Sequence, residues 1–76
     1  MFMNSMFWGA TSFNGDLSQW DVSNVRNMNG MLEDATSFTH QLGGAWSTST
    51  AYKNFMFNNC PGSIAGKTKE ADGTIE

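Results

Sequence analysis

The chain has 76 residues, and its four Lys and Arg side chains stand against seven Asp and Glu side chains, for a formal net charge of −3 at pH 7. This length allows one small domain at most. The few basic residues form no cluster in the sequence, which excludes the basic face that nucleic-acid binding requires. No stretch is long and apolar enough to span a bilayer. The first residues do not show the pattern of a signal peptide, so we expect the signal of a secreted parent protein to lie upstream of this chain.

The sequence repeats with a period of 25 residues. A fixed period of this length is typical of a solenoid, in which each unit buries its apolar side against the next one. We therefore expect repeat units at 3–27 and 28–52 and a partial third unit at 53–60. The recurring positions are Met3, Met6, Phe7, Ala10, Thr11, Ser12, Phe13 and Leu17 in the first copy, and Met28, Met31, Leu32, Ala35, Thr36, Ser37, Phe38 and Leu42 in the second. The third copy begins with Lys53, Met56, Phe57 and Cys60.

Each copy opens with residues at the i, i+3, i+4, i+7 spacing of one helical face. This spacing predicts a short helix of about two turns in every unit. Asn14-Gly15-Asp16 indicates a turn, and the segment around Leu17 is predicted to be extended and to pair in parallel with its neighbours. The expected fold class is α/β, a short solenoid with one short helix and one short extended segment or strand per 25-residue repeat.

The repeat positions also predict the core. Trp8 is an exception, because the second copy has Glu33 in its place, and a position that holds either residue is expected to be exposed. The candidates for an interaction surface are Trp8, Asp16, Asp21 and Asn24. The predicted core residues are Met6, Phe7, Ala10, Phe13, Leu17, Trp20, Met28, Met31, Leu32, Ala35, Phe38, Leu42, Trp46, Met56, Phe57 and Cys60.

Three features suggest chemistry, and each has a simpler interpretation. Residues 62–68 resemble a phosphate-binding loop, but the spacing between the glycines is wrong and no amphipathic helix follows. His40 has no partner at metal-ligand spacing. Cys60 takes the position of Ala10 and Ala35, where a free thiol acts as a small hydrophobe. We expect no catalytic residues, no cofactor and no metal site.

Residues 61–76 depart from the repeat, because Pro61-Gly62 ends it and the remainder is small, polar and charged. This composition predicts a flexible C-terminal tail after a repeat region at 1–60. About two and a half units are present, whereas about three are needed for a stable solenoid. We therefore expect either a fragment of a longer array or a marginally stable piece that stands alone. A further alternative is a truncated gene product with no function of its own.

The run from Met6 to Met28 resembles the 25-residue repeat of the DUF285 family, also called the BspA-like or mycoplasma lipoprotein repeat. The match is strongest over residues 20–25 and weakens in the second and third copies. The resemblance implies a leucine-rich-repeat-like solenoid within a cell-surface or secreted protein. It favours a non-enzymatic structural and interaction module, with neighbouring repeats, other proteins or glycans as partners. The alternative is a carbohydrate-binding surface formed by exposed aromatic and Asn or Asp side chains.

Overall fold

The computed structural model describes all of residues 1–76. Its regular elements are strand β1 (Gln41–Leu42), helix α1 (Ala45–Thr48) and strand β2 (Ser63–Ile64). The two strands pair in parallel, with Leu42 opposite Ile64. The rest of the chain consists of turns and short extended pieces, packed into a small compact domain.

Successive copies are joined by a ladder of backbone hydrogen bonds, here called the inter-copy ladder. N–H groups of alternate residues in one copy donate to carbonyl groups 24 residues further along the chain. The first copy donates from Met3 to Asn27, Ser5 to Asn29, Phe7 to Met31 and Gly9 to Glu33, with N···O distances of 2.8 to 3.0 Å. The second copy donates from Met28 to Tyr52, Gly30 to Asn54, Leu32 to Met56 and Asp34 to Asn58, at 2.7 to 2.9 Å.

The prediction of a helix in every unit is wrong, because these segments form consecutive turns. N–H groups that take no part in the ladder donate to the carbonyl group three residues earlier, as from Met31 to Met28 and from Ala35 to Leu32. The turns also require positive φ values, +64° at Gly30 and +63° at Asp34. Left-handed backbone is incompatible with a continuous α-helix of L-residues. The one helix, α1, lies instead in the segment that contains Trp46.

The second copy forms the centre of the core, because other parts of the chain cover it on both sides. Trp46 is fully buried, and its Nε1–H donates to the Leu17 carbonyl at 2.9 Å. The predicted core positions of this copy are all buried, and they are Met28, Met31, Leu32, Ala35, Phe38, Leu42 and Trp46. Leu17, Met56, Phe57 and Cys60 are buried with them.

The first copy differs from the predicted core. Met6 remains 50% exposed and Trp20 remains 40% exposed, whereas Phe7, Ala10 and Phe13 are half-buried. The physical reason is that no part of the chain stacks on the outer side of this copy. The repeat pattern identifies which side chains point towards a neighbouring unit, but burial also requires that the neighbour be present.

Residues 61–76 also differ from the expectation of a flexible tail. Ile64 and Ile75 are buried in the core. Thr68 and Glu76 exchange two backbone hydrogen bonds, of 3.0 and 2.9 Å. Residues 68–76 thus form a tight hairpin, here called the C-terminal hairpin. The C-terminal hairpin packs mainly through its backbone, and only two apolar residues of 61–76 enter the core. The composition of 61–76 therefore resembles that of a flexible tail.

Candidate interaction surfaces

The C-terminal hairpin closes the outer side of the third copy. The Phe57 N–H donates to the Gly73 carbonyl at 3.0 Å, and the Phe55 N–H donates to Thr74 Oγ1 at the same distance. The Ile75 N–H donates to the Lys53 carbonyl at 3.2 Å. Phe55 and Phe57 occupy the positions whose N–H groups belong to the inter-copy ladder in the first two copies. The hairpin therefore supplies acceptors where another copy would supply them.

Glycine is required at the closest point of this contact. Gly73 has a φ of +82°, and a Cβ atom there would overlap the backbone of Phe57 and Asn58. Only a residue without a side chain allows the two backbones to approach this closely. The hairpin is thus fitted to the third copy by shape as well as by hydrogen bonding.

Two lysine ammonium groups satisfy carbonyl groups near the same end. Lys69 Nζ donates to the Cys60 and Gly62 carbonyls at 2.5 and 2.8 Å. Lys53 Nζ donates to the Ser49 and Ala51 carbonyls at 2.7 and 3.1 Å. Burial, together with the charge of Lys67, lowers the pKa of Lys53. Both cations bind backbone oxygens of this chain, so their role is structural.

The first copy presents the opposite arrangement, with hydrogen-bond acceptors and apolar side chains left uncovered. This surface is here called the first-copy end face. Its apolar part includes a stacked pair, the Phe7 and Phe13 rings, whose centroids lie 4.3 Å apart, with Trp20 at 6.0 Å from Phe7. The apolar side chains of this face are Met6, Phe7, Ala10, Phe13 and Trp20. Four of its carbonyl groups accept no hydrogen bond within the chain, and they belong to Phe2, Asn4, Met6 and Trp8.

The four residues predicted to form an interaction surface have different surroundings. Trp8 is 59% exposed. The Asp16 carboxylate accepts the Ser18 N–H at 2.9 Å, and the Asp21 carboxylate accepts the Ser23 N–H and hydroxyl at 3.0 and 2.6 Å. Hydrogen bonds from these serines lower the pKa of Asp16 and of Asp21. Each aspartate therefore closes its own turn, although both side chains remain exposed.

Asn24, the fourth predicted residue, lines a shallow cleft of about 340 Å³ between residues 23–26 and residues 50–52. Arg26, Thr50 and Tyr52 line the same cleft, and the Tyr52 side chain is 68% exposed. Sequence reasoning did not single out these three residues. The available signal was the repeat spacing, because Asn27 and Tyr52 are 25 residues apart. The structure pairs them in a parallel bridge, which brings residues 23–26 next to residues 50–52.

The residues considered for chemistry take part in packing and backbone contacts. His40 Nε2 lies 3.0 Å from the Asn14 carbonyl. Cys60 is buried, and that burial raises the pKa of its thiol. Residues 62–68 contain β2 and a turn, with no helix after them. No three or more His, Cys, Asp and Glu side chains are grouped so that they would hold a metal ion. No helix is long and apolar enough to cross a membrane.

The ladder, the shared spacing and the C-terminal hairpin define a small domain built from 25-residue repeats. A family described as "Mycoplasma protein of unknown function, DUF285" matches residues 1–67, and the chain belongs to this family. No curated protein and no solved structure matches the chain. The matched region includes β2 and ends immediately before the C-terminal hairpin.

Proposed function

We propose that this chain is a non-enzymatic structural and interaction module, one stretch of a repetitive cell-surface or secreted protein that presents a protein-binding face. The inter-copy ladder carries this proposal, because it spaces successive copies regularly, as a leucine-rich-repeat-like solenoid does. Solenoids of this kind use the extended surface along the stack for binding. The family description assigns no activity, so the argument depends on the geometry of the surface.

Side chains on the flanks of the stack continue the ladder. Asn29 Oδ1 accepts the Asn54 N–H at 2.8 Å, and Asn58 Nδ2 donates to Glu33 Oε2 at 2.9 Å. Each contact joins residues 25 positions apart. These side-chain hydrogen bonds hold the flanks in a fixed geometry. Binding of a partner there therefore costs little entropy for ordering the domain.

One flank carries aromatic side chains suited to a protein partner. Parallel bridges set Phe2 beside Asn27 and Asn27 beside Tyr52, and Phe2 and Tyr52 are 71% and 68% exposed. This row is here called the aromatic row. Exposed aromatic residues supply large contact area at low entropic cost and dominate many protein interfaces. Arg26, next to the row in sequence, adds a cation of the kind that such interfaces favour.

The test is a protein microarray and a glycan array, both probed with the labelled full-length chain. The Tyr52→Ser variant removes an aromatic side chain from the row, and the Thr36→Ser variant changes an exposed residue outside it. Binding to proteins that is lost in Tyr52→Ser and kept in Thr36→Ser supports the proposal. Protein binding that is equal for both variants, or no protein binding at all, contradicts it. Circular dichroism of both variants checks that they remain folded.

Carbohydrate binding is the second candidate, and the cleft beside Asn24 favours it. An exposed Tyr52 ring next to amide, hydroxyl and guanidinium groups offers a stacking surface and several hydrogen-bonding groups in one place. Glycan titration followed by the NMR shifts of the Asn24 and Tyr52 amides tests this candidate. Saturable shifts at these two amides support it, and unchanged spectra at millimolar glycan exclude it.

A further inference from the structure

The sequence contains two Asn-Gly pairs, Asn14-Gly15 and Asn29-Gly30. In such a pair the backbone nitrogen of the glycine can attack the side-chain amide carbon of the asparagine, because glycine has no side chain to hinder the approach. The reaction gives a cyclic succinimide and ammonia. In a folded protein it requires that the glycine nitrogen be free and that the asparagine be accessible to water.

The structure places the two pairs in different environments. The Gly30 N–H belongs to the inter-copy ladder and donates to the Asn54 carbonyl at 2.9 Å, and Gly30 is buried. The Gly15 N–H donates to no acceptor within the chain. Asn14 is exposed, whereas Asn29 is half-buried. The attacking nitrogen is therefore free in the first pair and hydrogen-bonded in the second.

The amide oxygens of the two asparagines have matching partners. Asn14 Oδ1 accepts the Thr39 N–H at 3.0 Å, and Asn29 Oδ1 accepts the Asn54 N–H at 2.8 Å. An N–H group in this position stabilises the negative charge that develops on the oxygen during the attack. Because both pairs have this donor, the difference in their reactivity comes from the glycine nitrogens and from the exposure of the asparagines.

We propose that Asn14 is a site of spontaneous deamidation in the folded domain, and that Asn29 is protected from the same reaction. A bond forms between the Gly15 nitrogen and Asn14 Cγ, the Cγ–Nδ2 bond breaks, and ammonia leaves with the proton of the Gly15 nitrogen. Water then opens the succinimide. It breaks either the new bond, which gives aspartate, or the original peptide bond, which gives isoaspartate. Either product adds one negative charge to the formal net charge of −3.

The isoaspartate product alters the contact between the first copy and the residues before β1. Asn14 makes this contact through the Thr39 N–H and through its own carbonyl group, which lies 3.0 Å from His40 Nε2. Isoaspartate lengthens the backbone at position 14 by one methylene group, so the two contacts lose their geometry. Aspartate keeps the normal backbone and an oxygen for the Thr39 N–H. This inference does not rest on the proposed function.

The experiment follows both pairs in the full chain during incubation in mildly alkaline buffer, once folded and once in concentrated guanidinium chloride. Trypsin cleaves after Arg26 and Lys53, so the two pairs fall in separate peptides, and mass spectrometry with fragmentation measures the deamidation of each. In the folded domain Asn14 should react at least about tenfold faster than Asn29, since a protected site reacts only in its locally opened fraction. In guanidinium chloride the two rates should be similar.

Two variants of the same residue provide the controls. Asn14→Gln does not form a succinimide, so it should abolish the fast reaction in the peptide that ends at Arg26. Asn14→Asp has the normal backbone, and it should unfold at a higher urea concentration than the isoaspartate form separated by chromatography from the aged chain. Methyl transfer by an isoaspartyl methyltransferase identifies that form.

The site assignment would be overturned if Asn14 reacts no faster than Asn29 in the folded domain. A difference in rate that persists in guanidinium chloride would also overturn it, because the cause would then be the local sequence and not the fold. Equal urea midpoints for the isoaspartate form and Asn14→Asp would refute the loss of the contacts with Thr39 and His40. These readouts need no external partner, so they are independent of the array experiments.

Discussion

The strongest test of the C-terminal hairpin is Gly73→Ala. Alanine at a φ of +82° costs about 1 kcal/mol from backbone strain alone. Its Cβ also overlaps the Phe57–Asn58 backbone, so the hairpin has to move away from the third copy. That movement breaks the hydrogen bond from the Phe57 N–H to the Gly73 carbonyl, worth about 1 kcal/mol.

The same movement exposes Ile75, which is 8% exposed in the folded chain. Burial of an isoleucine side chain contributes about 2 kcal/mol. The expected loss for Gly73→Ala is therefore about 4 kcal/mol, the sum of these three terms. A domain of this size has a free energy of unfolding of roughly 4 to 11 kcal/mol, so the loss is a large part of the total.

Gly66→Ala is the matched control, because Gly66 also has a positive φ, +74°, but a Cβ atom there would have nothing within 4 Å. It should cost about 1 kcal/mol, from backbone strain only. Urea unfolding followed by tryptophan fluorescence gives both values, and amide hydrogen exchange reports on the Phe55 and Phe57 N–H groups. If Gly73→Ala costs no more than Gly66→Ala, the hairpin does not pack on the third copy as described.

Three further predictions concern the repeat positions. Met31 is fully buried, so Met31→Asp should unfold the chain by burying an unpaired charge, which circular dichroism will detect. Ser5 has a φ of +57° at the position of Gly30, so Ser5→Gly should raise the urea midpoint by relieving up to about 1 kcal/mol of strain; an unchanged or lower midpoint would contradict this. Burial raises the pKa of Cys60 above its ordinary 9.0, so the stability present below pH 9.0 is lost as pH rises through the folded-state pKa. Cys60→Ala introduces the residue that the second copy has at the equivalent position, Ala35, and should remove this loss of stability. Urea unfolding at pH values on both sides of 9.0 measures the loss.

The sequence predicted the buried side of the second copy but assigned the wrong local structure to it. Met28, Met31, Leu32 and Ala35 are fully buried, as their spacing indicates. Consecutive turns, however, direct the same positions into the core as a helix does. The spacing of apolar residues therefore does not distinguish consecutive turns from a helix. The available signal was Gly30, because a glycine inside a predicted helix favours left-handed backbone, and its φ is +64°.

The candidate sites were less predictable, because they depend on contacts between residues far apart in sequence. Trp8 is exposed as expected, but the exposure of Met6 and Trp20 follows from the absence of a covering unit, which no pattern within the repeat encodes. The C-terminal hairpin is held largely by backbone groups, and backbone pairing leaves little trace in residue types. Gly73 was visible in the sequence, but only its contact with the third copy shows why glycine is needed there.

The direction of the inter-copy ladder leaves carbonyl groups at the outer side of the first copy and N–H groups at the outer side of the third. A buried N–H group without an acceptor is rarer in folded proteins than a carbonyl group with an unused lone pair. The last copy ends in donors, and the chain provides Gly73 and Thr74 as acceptors for them. The first copy ends in carbonyl groups, which water satisfies at an exposed face. The first-copy end is therefore the less costly one to leave uncovered.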